Sequence, residues 1–296
     1  MKLARIDRVA IIGVGLIGGS FGMALKSRGL VGHVVGVGRN RERLELAAKL
    51  GAIDSWSTDL SSSVRDADLV YISTPVGLEL DFIRQVSEWA KSGCVITDAG
   101  STKGMICRGA DEILGDANCF VGGHPMAGSE ATGVDAANPD LFVNATYVLT
   151  PSAKTNPEAV DRMREISEKI GSRVLVMPPD AHDRCAAVIS HLPHLIAAAL
   201  VSLAKEHSLK DPQVFDLIAG SFRDMTRVAS SSPVLWRDIC LTNTEGIESA
   251  AETFKRLLDQ GVDFLKTDDS SGFEEWFAES KKVRDTLFPS SKNGKT

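Results

Sequence analysis

Apolar residues in the first 176 positions come in short β-branched runs that alternate with amphipathic stretches. The runs predict strands at 8–13, 33–37, 68–73, 94–98, 119–121, 146–149 and 173–176. Between them, apolar positions three and four apart predict helices at 18–28, 41–49, 78–90, 103–114 and 157–170. Strands separated in this way read as a parallel sheet covered by helices. After Met177-Pro178-Pro179-Asp180 the pattern changes. No convincing strand follows, and helices are expected at 181–190, 192–206, 212–221, 233–243, 247–260 and 272–287. The expected organisation is an α/β domain over 1–179 and an all-helical domain over 180–296, with a frayed polar end at 290–296. A helical domain this small, carrying an apolar stretch at 195–203, has much to bury. It is expected to form a homodimer through its helices.

Composition narrows the class without changing the architecture. Of 296 residues, 43% are hydrophobic and 24% charged, which suits a soluble chain with a sizeable core. The net charge of -6 and the lack of long Lys/Arg runs leave no electrostatic footprint for nucleic acid. An anionic ligand must then be held by a few placed cations. Five cysteines without CxxC spacing suggest reduced thiols in a cytoplasmic protein. The longest apolar run, 195–204, is about half of the roughly 20 residues that span a bilayer, so no membrane segment is expected. No His/Cys/Asp/Glu spacing points to a metal.

Chemistry enters at Gly13-Val14-Gly15-Leu16-Ile17-Gly18. This G-x-G-x-x-G follows the first strand and opens the first helix, the context of a Rossmann-type dinucleotide site. Gly13 makes the turn, Gly15 admits the pyrophosphate, and Gly18 lets helix and strand pack. With Leu16 and Ile17 they open a helix whose free N–H groups face the phosphates. About 20 residues on, an NAD enzyme carries a carboxylate for the ribose hydroxyl. Here the chain reads Val37-Gly38-Arg39-Asn40-Arg41. Arg39, with Asn40 beside it, offers a cation for a 2′-phosphate, so NADP is favoured over NAD. Ser73, Thr74, Pro75 and Val76 follow the third predicted strand at the edge where ligands bind.

Ser101 follows the next strand; as a lone residue it would also serve as a helix N-cap. Gly122-Gly123-His124-Pro125-Met126-Ala127-Gly128-Ser129-Glu130 reads as a glycine-rich loop carrying a proton-exchanging histidine. Ser190-His191-Leu192-Pro193-His194 opens a helix and puts two histidines on one face. Asp224 and Arg227 bring charge into an apolar region, and a guanidinium is a natural clamp for a carboxylate.

Taken together, Gly13 to Ser20, Asp98-Ala99-Gly100-Ser101-Thr102-Lys103, the 122–130 segment, Ser190-His191-Leu192-Pro193-His194, Phe222-Arg223-Asp224-Met225-Thr226-Arg227 and Pro233-Val234-Leu235-Trp236 resemble the prephenate/arogenate dehydrogenase family of tyrosine biosynthesis. The resemblance covers about 6–287. It implies oxidative decarboxylation of prephenate or arogenate with hydride transfer to NADP or NAD, on a Rossmann domain followed by a helical dimerisation domain. It also implies a catalytic His124 with a hydrogen-bonded Ser101. Substrate would be bound by His194, with His191 close by, and by Arg227. Glu130, Asp224 and Arg227 would form a gating network, with Trp236 as a nearby aromatic. Two other readings fit a Rossmann-plus-helices plan. A β-hydroxyacid dehydrogenase of the 3-hydroxyisobutyrate type would rely on a lysine where this helix offers histidines. A non-catalytic NADP sensor would not need Ser101, His124 and Arg227.

Overall fold

A computed structural model describes residues 6–115, 119–128 and 131–289. The strands are β1 (Ile6–Ile12), β2 (Val31–Val37), β3 (Ser55–Ser57), β4 (Leu69–Ile72), β5 (Val95–Asp98), β6 (Phe120–Pro125), β7 (Thr146–Thr150) and β8 (Arg173–Val176). They form one sheet in the order β3-β2-β1-β4-β5-β6-β7-β8. Every neighbouring pair is parallel except β6 and β7. The helices are α1 (Leu16–Ser27), α2 (Arg41–Lys49), α3 (Leu60–Val64), α4 (Glu79–Trp89), α5 (Gly104–Leu114) and α6 (Pro157–Lys169), followed by α7 (Pro179–Ala186) to α12 (Ser270–Leu287).

Both faces of the sheet are buried, so the inner strands are apolar throughout rather than alternating. Val9 and Ile11 pack on one side with Phe21 and Tyr71. Ala10 and Ile12 pack on the other with Val70 and Ile72. Chain order reverses at β1, which lies between β2 and β4. The loops after β1 and β4 therefore diverge there, opening the crevice in which such folds bind nucleotides.

Three expectations need correction. β3 is the polar Ser-Trp-Ser on the sheet's edge, and it lacks the apolar run by which strands are found. His124 belongs to strand β6, not to a loop, because Gly122 and Gly123 pair with Thr150 and Leu149 of β7. Those glycines answer crowding rather than turning: a Cβ on Gly123 would stand 2.5 Å from the Asp98 carbonyl oxygen, and one on Gly122 would stand 2.8 Å from Cys107 Sγ. The helix expected over 212–221 is a 3-10 turn, Pro212–Phe215, a break, and then α9 (Gly220–Thr226). Leu217, at 79% exposure, buries too little to hold a helix across the break.

Past β8, α7 runs through a π-helical turn, Ala187–His191, into α8 (Leu192–His207). This continuous stretch, Pro179–His207, is long and apolar enough by length and composition to cross a membrane. It also carries the buried polar residues His182, Asp183 and His191. The chain packs as two compact units, one up to Ile247 and one from Glu248 onward. The second holds most of α11 (Thr244–Lys266) and all of α12. There Trp276 lies against Gly261, whose missing Cβ would fall 3.2 Å from the indole, and against Phe264 and Phe273. Asp269 caps α12 by accepting the Gly272 N–H at 2.9 Å.

Candidate active site

The nucleotide end is built by close backbone contacts. Gly13 has φ +89°, and a Cβ there would stand 2.7 Å from the Ser73 carbonyl oxygen. Ser73 Oγ donates to the Gly13 carbonyl at 2.6 Å, tying the β1 and β4 loops together. A Cβ on Gly18 would fall inside contact distance of Gly13 O and Ser73 Oγ. A Cβ on Gly15 would meet nothing within 4 Å, so the loop is open on that side. No side chain caps α1, beginning at Leu16 and Ile17, and its first N–H groups remain available to phosphates. Thr74 Oγ1 is buried at the same edge without a hydrogen-bond partner. Pro75 is exposed beside it, and Val76 is buried. These features fit a dinucleotide. Arg39 is exposed at the end of β2. Asn40 is engaged in capping α2, its Oδ1 accepting the Arg43 N–H at 3.0 Å.

The polar centre lies at the carboxyl ends of β5 and β6. Asp98 Oδ1 accepts the Gly123 N–H at 2.9 Å, and Oδ2 accepts the Gly100 N–H at 2.8 Å. Lys103 Nζ is hydrogen-bonded to Asp98 Oδ2 and donates to the Gly123 carbonyl at 2.9 Å. Both side chains are fully buried. Glu79, at the start of α4, completes the cluster, close enough that a Cβ on Gly100 would stand 2.5 Å from its Oε1. Burial and the Asp98 charge hold the Glu79 carboxyl well above its usual range, outweighing Lys103. One ammonium thus neutralises one carboxylate, and the second carboxyl stays protonated.

His124 is bonded through Nδ1 to His182 Nε2 at 2.8 Å. His182 Nδ1 is 2.8 Å from Asp183 Oδ1. Asp183 also accepts the Lys103 and Gly104 N–H groups, both at 2.7 Å, and so caps α5. Burial, then the His182, Lys103 and His191 charges, hold His124 well below the usual histidine range. The ring is neutral at physiological pH, as a proton acceptor must be. Ser101 is half-buried on the neighbouring loop and forms no hydrogen bond with His124. Nor does Ser101 cap α5, whose N-cap position is Lys103.

His191 and His194 have different surroundings. His191 is fully buried, and its Nδ1 is 3.1 Å from Asn243 Nδ2. Burial first, with the neighbouring histidines, pulls its pKa down to about 4. The π-helical turn ends at His191, and one turn later His194 stacks on Trp236 with ring centroids 3.6 Å apart. These two rings line an apolar groove of about 360 Å³ with Leu195, Ala198, Val228 and Pro233. Arg227 opens the 3-10 turn that continues into Val228 and Ala229 of this groove. Asp224 is exposed on α9, three positions before Arg227. Glu130 lies outside the described residues. Among the described residues, no group of His, Cys, Asp and Glu is placed to hold a metal, and all five cysteines are free thiols.

Residues 21–176 match the family model for the prephenate dehydrogenase nucleotide-binding domain, and 178–279 match that for the prephenate dehydrogenase dimerization domain. The chain belongs to the prephenate dehydrogenase family. It is 38% identical to the prephenate dehydrogenase of Bacillus subtilis over 285 residues, 95% of this chain and 76% of that one. It is 33% identical to the cyclohexadienyl dehydrogenase of Zymomonas mobilis over 93% of this chain and 94% of that one. Among solved structures, the A. aeolicus prephenate dehydrogenase in complex with hydroxyphenyl propionate and NAD+ superposes with a TM-score of 0.91 at 33% identity, covering 97% of this chain and 100% of that one. As a family member, the protein is a nicotinamide-dependent oxidoreductase that oxidatively decarboxylates prephenate or arogenate.

Sequence reasoning missed the groups behind the family's histidine. His182 lies 58 positions from His124, Asp183 lies 80 from Lys103 and Asn243 lies 52 from His191, the residues they bond. Lys103 and Asp98 stand inside a motif that was read for Ser101. The signal in the sequence is the polar pair His182 and Asp183 at the start of the helix expected over 181–190.

Proposed function

We propose that His124 is the general base of this oxidative decarboxylation. The observation that carries the reading is a buried, neutral imidazole at the carboxyl edge of the sheet, next to the nucleotide crevice. A bound nicotinamide supplies the hydride acceptor. Neutral His124 accepts the proton of the ring hydroxyl at C4, and Ser101 on the adjoining loop steadies that hydroxyl. The C4 ketone so formed is conjugated with the carboxylate-bearing carbon, which lets CO2 leave as the ring becomes aromatic. Arg227 holds a carboxylate of the substrate, with Glu130 and Asp224 forming its gating network, and His194 and Trp236 present the ring wall of the groove. His191 supports His194 from the buried side. The work of these groups is positioning, the largest contribution available without a metal or a covalent intermediate.

The cofactor in this reading is NADP in preference to NAD. Support comes from Arg39, exposed at the end of β2, where no carboxylate stands to meet a ribose hydroxyl. The domain division proposed is 1–179 for the nucleotide domain and 180–296 for the helical substrate domain, consistent with matched segments that end at 176 and resume at 178. A homodimer through the helical part would cover Val188, Ile189 and Leu203, which are 60%, 66% and 53% exposed. The protein is placed in the cytoplasm, without nucleic-acid or membrane partners, from its acidic charge and free thiols.

Initial rates with prephenate and with arogenate, each with NADP and with NAD, test the reading. Turnover that favours NADP and falls at least a hundredfold in His124→Asn, with KM little changed, is the expected result. Unchanged kcat in that variant would remove His124 from the role of base.

A further inference from the structure

We propose that His182 and Asp183 form a relay that fixes the tautomer of His124, leaving its Nε2 as the proton-accepting atom. The inference rests on the reading of His124 as the base.

The hydrogen bonds can be assigned by elimination. Asp183 is an acceptor three times over, from Lys103 N–H, Gly104 N–H and His182 Nδ1. Burial opposes its ionisation, but these bonds outweigh burial and hold its pKa below the ordinary carboxylate value. A carboxylate accepts only, so His182 Nδ1 carries a hydrogen. On a ring that carries one hydrogen the other nitrogen, Nε2, is then an acceptor. Nε2 lies 2.8 Å from His124 Nδ1, which must be the donor. Neutral His124 has one ring hydrogen, and it is already spent on His182. The lone pair at Nε2 is therefore the one left for substrate.

The arrangement also handles the charge that follows. When Nε2 takes the hydroxyl proton, an O–H bond breaks and an N–H bond forms, and His124 becomes a cation. Its Nδ1–H already points at His182, with the Asp183 carboxylate behind. The other charged and titratable groups facing the pair are Lys103, neutralised by Asp98, and His191. Asp183 is thus the uncompensated anion on this side. His182 is a positioning residue: it is 3% exposed and acts through His124. Without it, an imidazole in water favours the Nε2–H form, which presents a donor to the substrate instead of a base.

Long-range proton–nitrogen correlation NMR of the protein labelled at its 6 histidines reads the tautomers directly. The expected spectrum has both His124 and His182 protonated at Nδ1 and bare at Nε2. A His124 signal with the hydrogen on Nε2 would overturn the relay without any variant being made. Kinetics supply the second reading. His182→Leu should lower kcat by roughly 10²-fold with KM little moved, if the tautomer is lost. His182→Gln keeps an oxygen to accept from His124 and an amide to donate to Asp183, and should recover most of that loss. Equal loss in both variants with the wild-type tautomers retained, or kcat unchanged in His182→Leu while His124→Asn is inactive, overturns the relay alone. Full kcat in His124→Asn would instead overturn the assignment of the base, whatever the tautomers.

Discussion

Replacing Lys103 by Met removes the one cation from a fully buried cluster and keeps the side-chain length. Asp98 would then retain the Gly100 and Gly123 N–H groups, at 2.8 and 2.9 Å, but no counter-charge. Glu79 beside it supplies no positive charge, because burial first and then the Asp98 charge hold its carboxyl neutral. The Gly123 carbonyl also loses its ammonium donor. Breaking a buried pair from one side costs about 3–5 kcal/mol. For a chain of this size that corresponds to a fall in Tm of roughly 6–20 °C. Thermal unfolding by calorimetry measures it, and the attribution to charge is tested by a double-mutant cycle with Asp98→Ala. With both charges gone, the loss should fall short of the sum of the single losses by about 2 kcal/mol or more. Additive losses, or a single-variant loss under about 1 kcal/mol, would refute the account, since the pair would then contribute less than a surface ion pair. The same pair anchors the loop of Ser101 and the strand of His124, so the stability loss should be accompanied by loss of turnover.

Two glycines separate cofactor binding from folding. Gly15→Ala meets no protein atom, so it should leave Tm in place and weaken nicotinamide binding in a titration. Gly18→Ala collides with Gly13 O and Ser73 Oγ and should cost about 1–3 kcal/mol of stability; a reversed pattern would misplace the pyrophosphate. Besides His124, whose pKa is also lowered, acid should act through His191. Its pKa is about 4 in the fold against 6.5 in the unfolded chain, so the unfolded state binds the extra proton. The contribution is complete above about pH 6.5 and is lost as the pH falls towards 4, about 3 kcal/mol in all. Glu79, with a raised pKa, works in the opposite direction over part of this window. His191→Gln should therefore lose about 3 kcal/mol less than wild type between about pH 7 and pH 4, measured by denaturant melts; parallel curves would refute it.

What lay in the sequence was what local chemistry decides. The strand-to-helix context of Gly13, Gly15 and Gly18 needs only neighbouring residues to be recognised, and the structure has the tight turn at Gly13 and the close helix–strand approach at Gly18. The alternation of apolar runs and amphipathic stretches led to the parallel sheet because both faces of the inner strands are buried. The change of period after Pro179 announced helices for the same reason. Tertiary packing decided the rest. Gly122 and Gly123 read as turn formers, yet they are glycines because Asp98, Thr150 and Cys107 crowd them in β6. His191 and His194 look equivalent as a pair in sequence; a π-helical turn and the Asn243 contact bury one edge-on to Trp236 and leave the other stacked on that indole. Lys103 ordinarily belongs on a surface, and the ion pair with Asp98, with the Gly123 carbonyl as a second acceptor, makes its burial stable. His182 and Asp183 resemble any polar pair on a helix until α7 is laid against the start of α5, which puts a carboxylate and an imidazole behind His124. Local pattern encodes which backbone forms, because its periods are short. Partnership between charges across a fold has no sequence period, and it exists only once the chain has closed.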